Sequence, residues 1–328
     1  MHPLRWAISS TGRIAATFAT ALAQTPGARL VAVASRDAER GRAFAARFGA
    51  ERVHVGAEAL AGDDGVDAVY VASPHPMHRD DALPCLRAGK AVLCEKPLAM
   101  DERQVRQLQT AAANSGAFLM EALWTRCLPA WRQALAWLRE GRIGEARWFT
   151  ADFGFSAPFD PASRLYDPAL GGGALLDVGI YCVAQAVAVM GASPVQVLAA
   201  GRKAPSGVDE IAGLLLRWDD GRLAQLACAV GLKTPHEAVI HGTLGRIRLP
   251  EFWRPRQAVV EIHGQPAQAH DLPFAGNGYV DETVEVARCV AAGLTESPLM
   301  PWADSLACAR ILDAARAQVG VRYASDGG

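Results

Sequence analysis

WAISSTGRIA, residues 6–15, begins as a buried strand and ends as a helix. Between the two, Ser10, Gly12 and Ala15 keep the spacing of the three small residues of a G-x-G-x-x-G/A turn, with serine in the first place. Such a turn, strand before and helix after, lets a backbone approach a pyrophosphate at a helix N-terminus. Gly12 would allow that approach, Ala15 would allow close helix–strand packing, and Ser10 could offer a hydroxyl or N–H to phosphate. Arg13 and Ile14, in the first helical turn, complete the candidate phosphate cradle.

The alternation continues beyond this unit. RLVAVAS, DAVYVAS, AVLCEK and AFLMEA read as strands, and the segments between them read as helices. Apolar strands alternating with helices predict a parallel, doubly wound sheet with its ligand at the carboxyl ends of the strands. After about residue 122 the pattern changes. LPAWRQALAWLREG reads as a helix, and a strand-rich stretch with turns such as DDG and TLG follows. The apolar helix GGALLDVGIYCVAQAVAVMG interrupts it, and helices from Tyr279 to Ala292 and from Trp302 to Gln318 close the chain. The expected fold class is α/β: an N-terminal Rossmann domain over residues 1–121, and a C-terminal α+β domain over 122–328 with a large, mostly antiparallel sheet.

Bulk properties narrow the function. A chain of 328 residues with 51% hydrophobic and 20% charged residues has an ample core. A net charge of −1 gives no global attraction to nucleic acid or to an anionic membrane, so neither is expected as a partner. The apolar run from Val178 to Ala192 is shorter than the ~20 residues a bilayer requires. No apolar leader is apparent, and seven cysteines without a C-x-x-C pair read as reduced thiols, so a cytoplasmic location is expected. His75 and His78 have a ligand-like spacing, but no further Asp, Glu or Cys completes a set, so no metal is expected.

Cofactor choice can be read at the second strand, VAVASRD. An NAD-binding tip usually carries an acid for the ribose 2′-OH. Here the tip has Ser35 and Arg36, a hydroxyl and a guanidinium suited to a 2′-phosphate, and Asp37 is better placed to cap the next helix. NADP is therefore expected rather than NAD.

VLCEKPLAM, residues 92–100, puts Glu95, Lys96 and Pro97 at a strand tip on the ligand edge. The chain has only four lysines, at positions 90, 96, 203 and 233, so an ammonium in this place is notable. The E-K-P tripeptide behind such a Rossmann half resembles the glucose–fructose oxidoreductase, inositol dehydrogenase and MocA family. MEALWTRCLPAW, DPALGGGALLDVGIYC, PFAGNGYVDETVEVARC and ESPLMPWADSLACARILDAARAQ extend the resemblance over nearly the whole chain. They are similar to the branch holding dihydrodiol dehydrogenase and NADP-dependent D-xylose dehydrogenase.

The resemblance implies hydride transfer between a nicotinamide and a secondary alcohol or hemiacetal carbon of a sugar or cyclic vicinal diol. It puts the catalytic lysine on Lys96 and the second-domain motif on Gly172, Gly173, Asp177 and Tyr181. It implies that Ser73, Pro74, His78, Glu95, Lys96 and Pro97 line the cofactor, that the Lys96–Pro97 bond is cis, and that the chain forms a homodimer or higher homo-oligomer through its C-terminal sheet. Serine often replaces the first glycine in this branch, so the opening turn should still bind. Ala7 departs from the glycine many members carry.

The residues themselves agree with this frame. Asp177 and Tyr181 are four apart, hence on one face of a helix, and an acid in so apolar a helix needs a partner or a cavity. Arg164, just before the glycine run, is expected to reach the cofactor. Trp124, Phe153, Trp253 and Tyr279 would form an aromatic substrate pocket with Asp177 and Tyr181. A free phenol must shift by ~3 units to act near neutrality, which an ammonium in a dry pocket favours. Tyr181 is thus expected as acid/base and Lys96 as its electrostatic partner, with the reverse assignment, a neutral Lys96 as base, open. Two other readings are a glycoside hydrolase that holds NAD tightly and a non-catalytic dinucleotide sensor. Against them stand the Ser35–Arg36 tip and the presence of Lys96, Asp177 and Tyr181 together.

Overall fold

The computed structural model describes residues 3–327 and divides into two compact units. The first comprises residues 1–124 and 275–302, and the second comprises 125–274 and 303–328. The later segment Ala275–Trp302 thus belongs with the N-terminal residues rather than with those that flank it in sequence.

In the first unit, strands β1 (Leu4–Ser9), β2 (Ala28–Ser35), β3 (Arg52–Val55), β4 (Ala68–Val71), β5 (Ala91–Glu95) and β6 (Leu119–Ala122) alternate with helices α1 (Arg13–Leu22), α2 (Ala38–Phe48), α3 (Ala57–Ala61), α4 (His78–Arg87) and α5 (Glu102–Ser115). The strands form one sheet of order β3-β2-β1-β4-β5-β6, parallel throughout. This is the doubly wound order, and it reverses between β1 and β4, where such sheets bind ligands. β4 and β5 are buried at every residue, as strands covered on both faces must be. Sequence signals end the helices as expected. Asp37 caps α2 by accepting from the N–H groups of Glu39 and Arg40, and Gly49 closes it in a left-handed conformation.

The second unit holds α6 (Pro129–Arg139), β7 (Ala146–Gly154), α7 (Ile180–Met190), β8 (Gln196–Lys203), β9 (Asp209–Arg217), β10 (Leu223–Ala229), β11 (Ala238–Gly242), β12 (Gly245–Leu249), β13 (Gln257–Ile262) and β14 (Gln268–Asp271). These strands make one eight-stranded sheet, antiparallel except where β10 pairs with β7. The TLG turn lies in the β11–β12 hairpin. Helix α8 (Tyr279–Ala291) belongs to the first unit, and α9 (Trp302–Val319) runs almost wholly within the second.

The apolar segment before β8 differs from expectation in two ways. Pro168–Met190 is long and apolar enough to cross a bilayer, although the run from Val178 to Ala192 looked too short. Its most apolar window is 94% buried inside the protein, the environment of a core helix. Within it, Leu175–Gly179 wind as a π-helix and the α-helix begins only at Ile180, so Asp177 lies in a wider turn than Tyr181.

Close packing explains the glycines before that helix. A Cβ on Gly172 would sit 2.7 Å from the Leu165 carbonyl oxygen. Gly173 has a φ of 118°, and its Cβ would meet Asp209 Oδ1 at 2.3 Å. The other oxygen of Asp209 accepts from the Leu175 N–H at 2.5 Å, so β9 anchors the start of the π turn. Gly173→Ala should therefore destabilise the protein by about 1–3 kcal/mol from backbone conformation alone, with more from displacing Asp209. Urea unfolding of the pure variant checks this, and an unchanged midpoint and slope would contradict it.

Candidate active site

The nucleotide turn retains its glycine-like geometry without its first glycine. Ser10 has a φ of 107°, a conformation that L side chains rarely adopt. Its N–H donates to the Ala34 carbonyl, which ties the turn to β2. Gly12 is the N-cap of α1 and provides no side-chain cap. A Cβ built on Gly12 would meet nothing closer than Ser10 Oγ at 3.7 Å, and its φ of −74° suits any residue. Packing inside the chain does not require glycine here. The space a side chain would fill lies over the open N–H groups of α1, which is where a pyrophosphate is held. At the β2 tip the carboxylate of Asp37 is engaged in capping α2, and Arg36 is exposed. These residues fit a dinucleotide with a 2′-phosphate.

The β5 tip carries the lysine. The Lys96–Pro97 bond is cis, as the resemblance implied. The Glu95 carboxylate accepts from the Tyr70 hydroxyl and, at 3.2 Å, from the Lys96 N–H. His78, expected to line the cofactor, is fully buried. Its Nδ1 and Nε2 lie 2.8 Å from the Pro97 carbonyl and 2.9 Å from the Ser73 carbonyl. Burial pushes His78 down to about 4, so the neutral ring donates to one of these carbonyls at a time and ties the two loops together. Ser73 and Pro74 belong to one of those loops, after β4.

The expected aromatic residues form two stacks, one in each unit. In the first, Trp124 stacks on Tyr279 at 4.9 Å and 9°. A Cβ on Gly278 would lie 2.2 Å from the Trp124 ring, so that approach requires glycine. In the second unit, Phe153 stacks on Trp253 at 5.2 Å and 18° and meets Tyr181 edge-on at 5.5 Å. Asp177 finds its partner in Arg164, with nitrogen–oxygen distances of 3.0 and 3.4 Å. Arg164, expected at the cofactor, thus has its guanidinium on this acid. The Asp177 side chain is only 7% exposed and needs a counter-charge.

Asp209 and Glu282 are among the buried acids not singled out from the sequence. Asp209, fully buried at the start of β9, is pushed up to about 7 by burial. Nothing in its local sequence marks it. Glu282 was legible, since it falls on the apolar face of α8 with Tyr279, Val286 and Cys289. It is fully buried, and neither carboxyl oxygen has a hydrogen-bond partner among the described residues. Burial first, then the negative charges of Glu95 and Asp281, push it well above the ordinary carboxylate range. Burial thus favours the protonated form of Glu282 in the folded chain. Its contribution to stability is present in full below the unfolded value of about 4.3, falls as pH rises, and is gone above the raised folded value. Glu282→Gln should flatten this decline of the thermal midpoint with rising pH. Equal pH slopes in variant and parent would refute the assignment.

Comparison with known proteins agrees with this geometry. Residues 4–123 match the profile of an oxidoreductase family with an NAD-binding Rossmann fold, and residues 131–248 match the GFO/IDH/MocA C-terminal domain. Trans-1,2-dihydrobenzene-1,2-diol dehydrogenase of Danio rerio is 41% identical over 332 residues, covering 98% of this chain and 99% of the relative. The Mus musculus protein of the same name is 38% identical over 331 residues, with the same coverage. A 3-ketoreductase from Actinomadura kijaniata, solved with NADP and TDP-benzene, superposes with a TM-score of 0.84 at 32% identity, covering 97% of this chain and 98% of the other. Aldose-aldose oxidoreductase from Caulobacter crescentus shares the fold, with a TM-score of 0.88 at 24% identity and the same coverage. The chain belongs to the GFO/IDH/MocA family of oxidoreductases.

Proposed function

We propose that this protein is an NADP-dependent dehydrogenase that oxidises a secondary alcohol or hemiacetal carbon of a cyclic vicinal diol or sugar, or runs the reverse reduction. The observation that carries this reading is the open N-terminus of α1 at Gly12, beside a β2 tip whose one carboxylate, Asp37, is already engaged. Full-length similarity to dihydrodiol dehydrogenases and to an NADP-bound ketoreductase supports the substrate and cofactor classes.

Oxidising an alcohol removes a hydride from carbon and a proton from oxygen. Bound NADP supplies the hydride acceptor. The first-turn N–H groups from Arg13 and Ile14 hold pyrophosphate, and Ser35 and Arg36 hold the 2′-phosphate. Tyr181 takes the hydroxyl proton, and Lys96 provides the positive charge that favours this transfer. Asp177, fixed by Arg164, orients the substrate hydroxyl, and the Phe153–Trp253 stack offers an apolar face to the ring.

The same reading includes a homodimer formed through the open face of the second sheet. Leu198 and Leu215 are direct cross-strand partners, 47% and 39% exposed, and Leu215 also faces Gln225 of β10. A stripe of this kind on a large sheet is suited to burial against a second copy. All seven cysteines are buried, and a reducing cytoplasm is the location this reading proposes.

A screen for NADPH formation over cyclic diols and aldoses tests the reading. Glycoside cleavage without net NADPH would favour the hydrolase, and the absence of any turnover would favour the sensor. Arg36→Ala should weaken NADP roughly 10- to 100-fold and leave NAD almost unchanged, as loss of a charge-assisted phosphate contact predicts. Equal efficiency with NAD in the unmutated protein would overturn the cofactor choice.

Tyr181→Phe should lower kcat by about 10²–10⁴ with NADP affinity nearly intact, because the ring packing survives and the transferable proton does not. Lys96→Met should also be slow, but should recover part of its rate as pH rises. Substantial activity in Tyr181→Phe would transfer the proton role to another group, and an unchanged pH profile in Lys96→Met would separate the two residues.

A further inference from the structure

His236 lies between β10 and β11 with a φ of 66°, in the left-handed region that few side chains adopt. Two contacts hold it there. Its N–H donates to Asp152 Oδ2 at 2.8 Å, and its Nε2 lies 2.5 Å from the Gly154 carbonyl oxygen. A carbonyl only accepts, so Nε2 carries the proton, and in the neutral ring Nδ1 presents a lone pair. Among the described residues Nδ1 has no hydrogen-bond partner, and the side chain is half-buried rather than sealed. The ring meets Phe153 edge-on at 5.1 Å and 66°. Phe153 is the same ring that stacks on Trp253 and meets Tyr181. A fixed acceptor and the phenol therefore share one aromatic neighbour, Phe153.

We propose that His236 is a specificity-determining residue, whose Nδ1 accepts a hydrogen bond from a substrate hydroxyl other than the one oxidised. The inference rests on the diol or sugar reading above and deepens it. A mono-alcohol satisfies Tyr181 alone, whereas a vicinal diol or a sugar satisfies both groups. The backbone bond to Asp152 and the ring bond to Gly154 fix the direction of that acceptor in advance, so little entropy is lost when the hydroxyl arrives.

The test compares the full-length protein with His236→Phe, which keeps a ring against Phe153 but lacks both nitrogens, and His236→Asn, which tolerates the left-handed backbone and moves the acceptor away. Substrate pairs are trans-cyclohexane-1,2-diol against cyclohexanol, and D-glucose against 2-deoxy-D-glucose. Each is measured for kcat and KM with NADP and for binding by calorimetry. In both variants the preference for the more hydroxylated member should fall roughly 2- to 12-fold, mainly through KM, which is the worth of one hydrogen bond between neutral groups. Activity on the less hydroxylated member should hold. An unchanged preference overturns the proposal, and so does an equal loss on both members, which is the mark of a purely structural role. If the unmutated protein neither binds nor oxidises any of the four compounds, the proposed function fails and this inference fails with it. Binding and turnover with preserved preference leave the function standing and remove only His236.

Discussion

A parallel sheet covered on both faces can carry polar side chains only at its ends, and that constraint organises the first unit. β4 and β5 are buried along their whole lengths, so the chain first turns polar at the tip of β5, at Glu95 and Lys96. β1 obeys the same rule and ends in Ser9 and Ser10, directly before the open start of α1. Burial thus gathers the turn, the Ser35–Arg36 tip and the lysine on one edge of one sheet. The supporting contacts join neighbouring tips: Tyr70 of β4 donates to Glu95 of β5, and His78 bridges the loops after both strands.

The second unit reaches a comparable outcome with an antiparallel sheet and charge pairing. Asp177 enters an apolar helix and is matched by Arg164, which reaches it from the preceding loop. Asp209 holds the first N–H groups of that helix and occupies the space Gly173 leaves. The glycine run and the acid act as one device: removing a side chain from the helix entry lets a buried carboxyl approach its backbone. The carboxyl fixes where the π turn begins, and hence how Asp177 and Tyr181 are presented.

Much of this architecture could be read from the chain. Apolar runs marked the parallel strands β1, β2, β4, β5 and β6, and α8 and α9 begin at Tyr279 and Trp302, where their signals begin. The turn at Ser10, the cap at Asp37 and the tip at Lys96 were local patterns, with cause and residue close together in sequence. What escaped depends on distant partners. Arg164 on Asp177, Asp209 under Gly173 and His236 beside Phe153 are tertiary pairings with no local signature. The π winding belongs to the same class, since its residues read as an ordinary helix. The return of Ala275–Trp302 to the first unit was equally hidden, because a helix pattern shows which face is apolar but not which sheet will cover it.

That return bears on how the protein is made. β6 lies at the edge of its sheet, and Leu119 there donates its N–H to the Thr295 carbonyl and accepts from the Trp302 indole. α8 packs on α1, and Asn277 reaches the Thr17 carbonyl. A nascent chain that has left the ribosome only as far as Trp124 has every strand of the Rossmann sheet but neither of these covers. Until translation passes Trp302, β6 is an open edge and one flank of α1 is bare, the exposures through which sheets join to wrong partners. The first unit can be completed only after most of the second has been synthesised.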